Sequence, residues 1–288
     1  MQMKIFDSHL HLFSKTIIEN VAAKQEMCAQ LHLQTLGATD RRDGEGLEHS
    51  MRAAGVAAGL ALPTAGAANV AKVNSLFIEK AAERDFLYTA GTLHPEYPEN
   101  GAEMEKLKSH GVRAIKLCSF SQGFVLDGPP ALTMFEQIQT FNRICDHRFF
   151  VVLDTLYSAP RYFGADPAYT TTSEKLVALA RKFPDIPFIG AHMGSLDAPF
   201  EEIHTHLMTC HNLYLDTSNA GHTLTADQFV SLLDRFGPKR ILFGTDWPWF
   251  LHPDEVAMID HLADKAGFSL KDKAALFYDN IAELLGLR

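Results

Sequence analysis

The chain has 288 residues, with 26 basic and 35 acidic side chains and a formal net charge of −9. This acidic balance argues against nucleic acid as a partner, because proteins that bind nucleic acid present basic faces. The hydrophobic fraction of 47% and the charged fraction of 21% are typical of a globular chain, and they argue against a fibrous or disordered one.

Short apolar runs alternate with longer amphipathic stretches from one end of the chain to the other. The apolar runs predict buried parallel strands at 4–9, 56–62, 86–93, 113–118, 149–154, 187–192, 213–217 and 240–246. Between them, apolar residues recur at three- and four-residue steps and predict helices at 45–55, 69–85, 100–111, 130–148, 171–185, 200–212 and 225–239.

This alternation of eight strands with helices predicts an α/β fold, a (β/α)₈ TIM barrel that occupies residues 1–288 as a single domain. The length agrees, because such barrels commonly run to about 250 residues. An open doubly wound sheet is the alternative, but no G-x-G-x-x-G motif follows the first predicted strand.

Three further segments depart from a minimal barrel. An insert at 14–45 follows the first strand and contains a helical run at 16–33, and a Tyr- and Pro-rich insert at 157–172 follows the fifth strand. Both leave the carboxyl ends of strands, where barrel active sites lie, so each is interpreted either as a lid or as surface decoration. Residues 269–287 predict an extra C-terminal helix on the outside of the barrel.

The cellular setting is expected to be the cytoplasm. The four cysteines are far apart and form no C-x-x-C pair, which is typical of a reduced protein. A strand-like segment begins at Lys4, so no signal peptide is expected. The small-residue stretch 53–71 contains Pro63 and is not expected to cross a membrane.

Two His-x-His pairs differ in their predicted setting. His9 and His11, in "DSHLH", share strand parity with Asp7, so both histidines are expected to point inward at the end of the first strand. His204 and His206 lie in a predicted helix, where residues two apart do not face each other, and they are expected on the surface or in packing.

Polar side chains also end other predicted strands. The same parity test places five of them at the barrel mouth, where they are expected to converge around a cation: His94, Lys116, Asp154, His192 and Asp246. Structural roles stay open for several. Asp246 could cap a turn, His192 could be a hydrogen-bonded core residue, and Asp7 is interpreted as a supporting or capping group. His94 and Lys116 could instead form structural pairs.

The chemistry of this set is that of a divalent metal site. Neutral imidazoles and carboxylates suit an ion such as zinc, with one position left for water. Asp246 is the first candidate for taking the water's proton and passing it to a leaving group. His192 is expected either to bind the metal or to stabilise a developing oxyanion.

The motifs "DSHLH", "IGAHMGS", "LFGTDWP" and "DNIAELLGL", in this order over nearly the whole chain, resemble the amidohydrolase superfamily, in particular its amidohydrolase 2 branch. That branch includes zinc-dependent decarboxylases and lactone hydrolases on (β/α)₈ barrels. The resemblance implies that His9 and His11 ligate a metal, that Asp246 is a ligand or base, and that His192 is a ligand or catalytic histidine.

One position departs from the family pattern. The family usually has a histidine at the end of strand five, where this chain has Asp154 in "VVLDT". The aspartate can ligate zinc, could favour manganese, or could accompany a metal-free site like that of some lactone hydrolases in the branch. Lys116 resembles a contact to a substrate carboxylate, and it is expected to bind substrate together with His94 and Trp247.

The expected function is therefore a metal-dependent hydrolase of a small amide, ester or lactone. The alternatives are a metal-dependent, non-oxidative decarboxylase, a catalytically silent barrel and a Schiff-base aldolase acting through Lys116. The expected metal ligands are His9, His11, Asp154, His192 and Asp246. The expected partner is a small-molecule substrate, with neither nucleic acid nor membrane, and a homo-oligomer stays an open alternative.

Overall fold

Eight parallel strands form the centre of the computed structural model, which describes residues 3–42 and 44–287. The strands follow chain order around the sheet, each paired in parallel with the next. Their bounds are β1 Ile5–Leu10, β2 Val56–Ala61, β3 Leu87–Thr92, β4 Ala114–Leu117, β5 Phe150–Leu153, β6 Phe188–Gly190, β7 Leu213–Asp216 and β8 Ile241–Leu242. The predicted (β/α)₈ barrel is confirmed.

The barrel closes between β1 and the segment that follows β8. Ser8 N donates to Phe243 O (2.8 Å) and Asp246 N donates to His9 O (2.9 Å). A Cβ at Gly244 would lie 2.8 Å from the Cβ of His9, so only glycine allows this close approach. The predicted strand at 240–246 is therefore regular only over its first residues, because the rest follows an irregular path against β1.

The helices lie between the strands in the predicted order. Their bounds are α1 Lys15–Ala22, α2 Gln25–Gln30, α3 Ala38–Arg41, α4 Gly44–Ala54, α5 Val70–Ala82, α6 Asn100–Ser109, α7 Ser119–Gln122, α8 Pro129–Ile144, α9 Ala159–Phe163, α10 Ser173–Lys182, α11 Phe200–His206, α12 Ala220–Thr223, α13 Ala226–Phe236, α14 His252–Lys265, α15 Leu270–Ala274 and α16 Asn280–Leu285. The run predicted at 16–33 is two helices, because the backbone of Lys24 is non-helical. None of the described helices is both long and apolar enough to cross a membrane.

The outer helices form because one face of each is apolar. In α13, Phe229, Leu233 and Phe236 recur at helical spacing and are buried. The helix begins at a capping box in which Thr225 and Gln228 satisfy each other's backbone N–H groups. Burial of this face against the barrel, rather than intrinsic propensity, supplies most of the stability of such a helix.

The C-terminal helix lies at the end of the barrel rather than only on its outside. Ile281 and Leu285 of α16 belong to one buried cluster with Phe6, Ala114 and Phe150. Those three side chains stand at the beginnings of strands, so α16 covers the amino-terminal end of the barrel. The expectation that this helix packs on the outside of the barrel therefore does not hold for the buried side chains of α16.

Candidate active site

The carboxyl ends of five strands bring six titratable side chains together. His9 lies in β1 and His11 directly follows it, and the others follow or end β5 to β8: Asp154, His192, Asp216 and Asp246. Except for Asp154, whose side chain is 14% exposed, all are buried. Barrel enzymes carry their catalytic groups at this end, so the cluster is the candidate site.

His9, His11 and Asp246 form the tightest group. The Nε2 atoms of His9 and His11 lie 3.1 Å apart. Asp246 Oδ1 lies 3.4 Å from the Nε2 of His11 and 3.8 Å from the Nε2 of His9. Two imidazole nitrogens and one carboxylate oxygen thus converge on one point, as the sequence predicts.

The other ring nitrogen of each histidine faces a hydrogen-bond acceptor. His9 Nδ1 donates to Asp216 Oδ2 (2.8 Å), and His11 Nδ1 donates to the carbonyl oxygen of Leu62 (3.2 Å). His192 Nδ1 donates to the carbonyl oxygen of Ser218 (2.9 Å). Because these partners hold a proton on each Nδ1, each Nε2 is left with a free lone pair directed into the site.

This arrangement fits a divalent cation. Without a cation, the lone pairs of His9 Nε2 and His11 Nε2 would face each other at 3.1 Å and repel. Metal-bound histidines typically donate their other N–H to a carboxylate or a backbone carbonyl, as these do. The donor set of imidazoles and carboxylates suits zinc and also manganese.

Burial and neighbouring charges set the ionisation of the site. Burial lowers the pKa of His9 to about 4, although Asp216 opposes this effect, so the imidazole is neutral at pH 7. Burial alone would raise the pKa of Asp154, but Lys116 and the site histidines outweigh it and lower the pKa to about 2. Neutral imidazoles beside ionised carboxylates are the forms that bind metal.

Asp216 belongs to the candidate site and was missed by sequence reasoning. It accepts hydrogen bonds from His9 Nδ1, from the backbone N–H groups of His192 (2.9 Å) and Ser218 (3.1 Å), and from Ser218 Oγ. Burial alone would raise its pKa, but the contact with His9 outweighs burial and lowers it. The available signal was its place at the end of strand seven in "LYLDT", which matches "VVLDT" around Asp154.

We expect Asp216→Asn to weaken metal binding about 10- to 100-fold. Four donors converge on this carboxylate, so the amide nitrogen of asparagine must face one of them and His9 loses its orientation. Zn²⁺ and Mn²⁺ affinities, measured by competition with a chromogenic chelator, provide the test. The matched control is Asp185→Asn at an exposed ion pair with Arg143, and equal affinities in the two variants would contradict the expectation.

Left-handed backbone orients two of the site side chains. His192 has φ +55° and Asp246 has φ +63°, a region that non-glycine residues rarely adopt. On β6 the sequence places Phe188 and Gly190 on the same inward face as His192. Instead Phe188 packs on Phe135 of α8, with ring centroids 5.7 Å apart. The left-handed turn after β6, rather than strand alternation, directs His192 into the site.

Asp7 does not share the inward face of His9. Its Oδ2 lies 3.1 Å from Nε2 of His252 on α14 and accepts from Thr245 Oγ1 (2.6 Å), while Oδ1 accepts from His9 N (2.9 Å). The parity prediction was wrong for Asp7, because the pairing register with β2 shifts between Asp7 and Leu10. The contacts agree with its interpretation as a supporting group.

Two adjoining cavities open beside the cluster. The larger has a volume of about 440 Å³ and the smaller about 130 Å³, and His11 and Asp154 border both. Lys116 borders the larger cavity, with its Nζ 3.5 Å from Asp154 Oδ2.

Two predicted substrate contacts lie elsewhere. His94 Nε2 is hydrogen-bonded to the carbonyl oxygen of Gln122 (3.0 Å), and its Nδ1 accepts a hydrogen bond from the backbone N–H of Glu96 (3.1 Å). Trp247 is fully buried and borders a separate groove beside Arg41. Neither residue is among the described residues that line the two cavities at the cluster.

Both inserts form walls of the larger cavity. Ile17 and Val21 of α1 come from the first insert, and Phe163 of α9 comes from the second. The inserts also touch each other, because Lys24 Nζ donates to the carbonyl oxygen of Tyr162 (2.8 Å). They therefore do more than decorate the surface, while movement as a lid stays a prediction.

The second His-x-His pair is at the surface, as predicted. His204 is exposed on α11, and His206 forms a partly exposed ion pair with Glu202 one helical turn away. Neither histidine belongs to a group of described residues whose geometry could hold a metal.

A (β/α)₈ barrel with histidines and carboxylates gathered at the carboxyl ends of its strands defines a barrel enzyme. The family model for amidohydrolases, Amidohydro_2, matches residues 6–287, and the chain therefore belongs to the amidohydrolase family. This confirms the resemblance seen in the sequence motifs. No protein of curated function matches the sequence significantly.

Solved structures share the fold at low sequence identity. An uncharacterised TIM-barrel protein from Bordetella bronchiseptica is 17% identical, covers 99% of each chain and has a TM-score of 0.73. An amidohydrolase from Burkholderia multivorans with bound zinc is 15% identical over 98% of this chain and 99% of that one, with a TM-score of 0.69. A dihydroxybenzoic acid decarboxylase from Polaromonas sp. JS666, with bound manganese and an inhibitor, is 17% identical over 99% and 98%, with a TM-score of 0.67.

Proposed function

We propose that this amidohydrolase is a metal-dependent hydrolase of a small amide, ester or lactone. The observation that carries the proposal is the convergence of His9 Nε2, His11 Nε2 and the Asp246 carboxylate beside a cavity of about 440 Å³. Zinc is the ion we expect first and manganese the alternative. The zinc in the Burkholderia amidohydrolase and the manganese in the Polaromonas decarboxylase support these choices.

His9, His11 and Asp246 would hold the ion. His192 and Asp154 are the further ligands we propose, and His192 Nε2 lies 4.0 Å from Asp154 Oδ2. A divalent ion bound there supplies Lewis acidity, which activates water and polarises a substrate carbonyl. Because Nδ1 of His192 donates to Ser218, its Nε2 accepts rather than donates, and this favours a ligand over an oxyanion donor.

Asp246 is the proposed proton carrier. Its carboxylate takes a proton from the attacking water as the bond from water oxygen to the acyl carbon forms. It then gives that proton to the leaving nitrogen or oxygen as the acyl bond breaks, so the products are an acid and an amine or alcohol. Burial alone would raise the pKa of Asp246, but the nearby histidines outweigh burial and lower it. Asp246 is therefore ionised and able to accept.

The charge of the cavity favours hydrolysis over decarboxylation. Among the described residues that line the larger cavity there is no arginine, and the ammonium of Lys116 is 3.5 Å from Asp154. A substrate carboxylate would have to displace that ion pair. Decarboxylation stays the second candidate, because Lys116 becomes free for a carboxylate if Asp154 turns to the metal.

Protein purified without chelators, with its metal content measured by elemental analysis, provides the test. We expect about one zinc or manganese ion per chain, acid release from a panel of uncharged amides, esters and lactones, and loss of this activity with a chelator. Carbon dioxide release from carboxylated aromatics without acid release from the first panel would replace the hydrolase by the decarboxylase. Full activity in protein that lacks transition metal would overturn both.

A further inference from the structure

The wall of the larger cavity is apolar over most of its extent. Three helices contribute to it: α1 supplies Ile17 and Val21, α5 supplies Leu76 and Phe77, and α9 supplies Phe163. Of the residues of the cluster, His11 and Asp154 border this cavity. A ligand in this space would therefore place a polar group at the cluster and an apolar body against the three helices.

The apolar wall continues to the surface of the molecule. Ile17 is 43% exposed, Leu76 is 44% exposed and Phe163 is 41% exposed, although all three line the cavity. Large hydrophobic side chains scattered singly on a surface need no explanation, but three around one opening form a patch. Such a patch next to a deep cavity is typical of a binding site for an apolar group.

Charged groups in the same cavity are neutralised by each other. Lys116 and Asp154 are 1% and 14% exposed at their side chains, and the pair is 3.5 Å apart. No further lysine and no acidic residue other than Asp154 appears among the described lining residues. While this ion pair is intact, a charge on the body of a ligand would have no free counterion there and would lose its hydration.

We propose that the substrate is uncharged and carries an extended alkyl or aryl group, which lies between α1, α5 and α9 and reaches the rim formed by Ile17, Leu76 and Phe163. The inference rests on the proposed function for the position of the scissile acyl bond at the cluster. It adds the class of substrate, a lipophilic acyl or aryl compound rather than a small carboxylated one.

Two fluorescent probes test the binding step without turnover. N-phenyl-1-naphthylamine is uncharged, and 8-anilinonaphthalene-1-sulfonate has the same ring frame with an added anionic group. We expect the metal-loaded protein to bind the uncharged probe at least about tenfold more tightly, because the sulfonate would have to be desolvated without a partner. Equal affinities, or no binding of the uncharged probe, would overturn the inference.

The variant Leu76→Asn tests whether the probe binds in this cavity. We expect about three- to tenfold weaker binding of N-phenyl-1-naphthylamine, because the apolar contact of Leu76 is lost at the rim. Ile144→Asn is the matched control, since Ile144 is 76% exposed on α8 and does not line the cavity. Equal effects of the two substitutions would contradict the assignment of the cavity.

A homologous series of straight-chain acyl 4-nitroanilides and 4-nitrophenyl esters, from acetyl to decanoyl, tests the catalytic consequence. We expect kcat/KM to rise about fourfold for each added methylene until the cavity is filled, and Leu76→Asn to flatten the rise. Hydrolysis that falls with chain length would overturn the inference and leave the hydrolase standing. Selective probe binding without any hydrolysis would overturn the proposed function and leave the apolar ligand class standing.

Discussion

Replacing His11 with alanine is expected to abolish tight metal binding and to lower kcat/KM by at least about a thousandfold. His11 supplies one of the two imidazole nitrogens that face each other at 3.1 Å, and its removal breaks the group of His9, His11 and Asp246. Elemental analysis after dialysis and steady-state kinetics at several metal concentrations measure the two effects. We expect the loss of activity to follow from the loss of the ion rather than from unfolding, and the melting temperature checks this.

The chain contains its own control for this experiment. His204 belongs to the second His-x-His pair, which is on the surface of α11, and His204→Ala should leave metal content and kcat/KM unchanged. If His11→Ala and His204→Ala have the same melting temperature, the loss of metal from His11→Ala does not result from a folding defect. Retention of one tightly bound ion per chain by His11→Ala would contradict the assignment of the cluster.

Asp246→Asn is expected to lower kcat by about a thousandfold while KM changes by only a few fold. The amide has the same shape but cannot take the proton of the attacking water. Asparagine also tolerates the left-handed backbone at this position, where φ is +63°, so the variant should fold. The measurement is kcat and KM at saturating metal, together with the melting temperature.

A comparison with Asp216→Asn gives this prediction its specificity. Asp216 acts through His9, so excess metal should restore most of the activity of Asp216→Asn. Excess metal should saturate the site of Asp246→Asn without restoring its activity, because bound metal does not replace the lost proton transfer. Full rescue of Asp246→Asn by metal would reduce Asp246 to a ligand and would remove it as the base.

Much of the architecture was predictable from local patterns. The apolar runs identify all eight strands to within a few residues, and the amphipathic stretches identify the principal helices between them. Buried parallel strands are apolar on both faces, whereas outer helices are apolar on only one. Each kind of element therefore has a recognisable pattern of apolar residues in the sequence. The different settings of His9 and His204 were predictable in the same way, because they depend only on whether each His-x-His pair lies in a strand or in a helix.

Other features of the site depend on contacts between residues far apart in the chain. His192 faces the cluster because the backbone after β6 is left-handed, and Asp7 faces α14 because β1 shifts its register. Neither irregularity has a marker such as glycine at the residue concerned. The sequence placed Asp7 on the parity of His9 and oriented His192 by strand alternation, and the structure differs at both positions.

The sequence by itself determined the barrel, the strand ends at which polar groups gather, and the residue types suited to a divalent ion. The tertiary structure decided which of these groups meet: Asp216 joins His9, whereas His94 and Trp247 lie away from the cavities at the cluster. The physical reason is that strand periodicity is set by each residue's immediate neighbours. Side-chain direction at a strand end is set instead by backbone turns and by hydrogen bonds across the barrel, such as Asp246 N to His9 O.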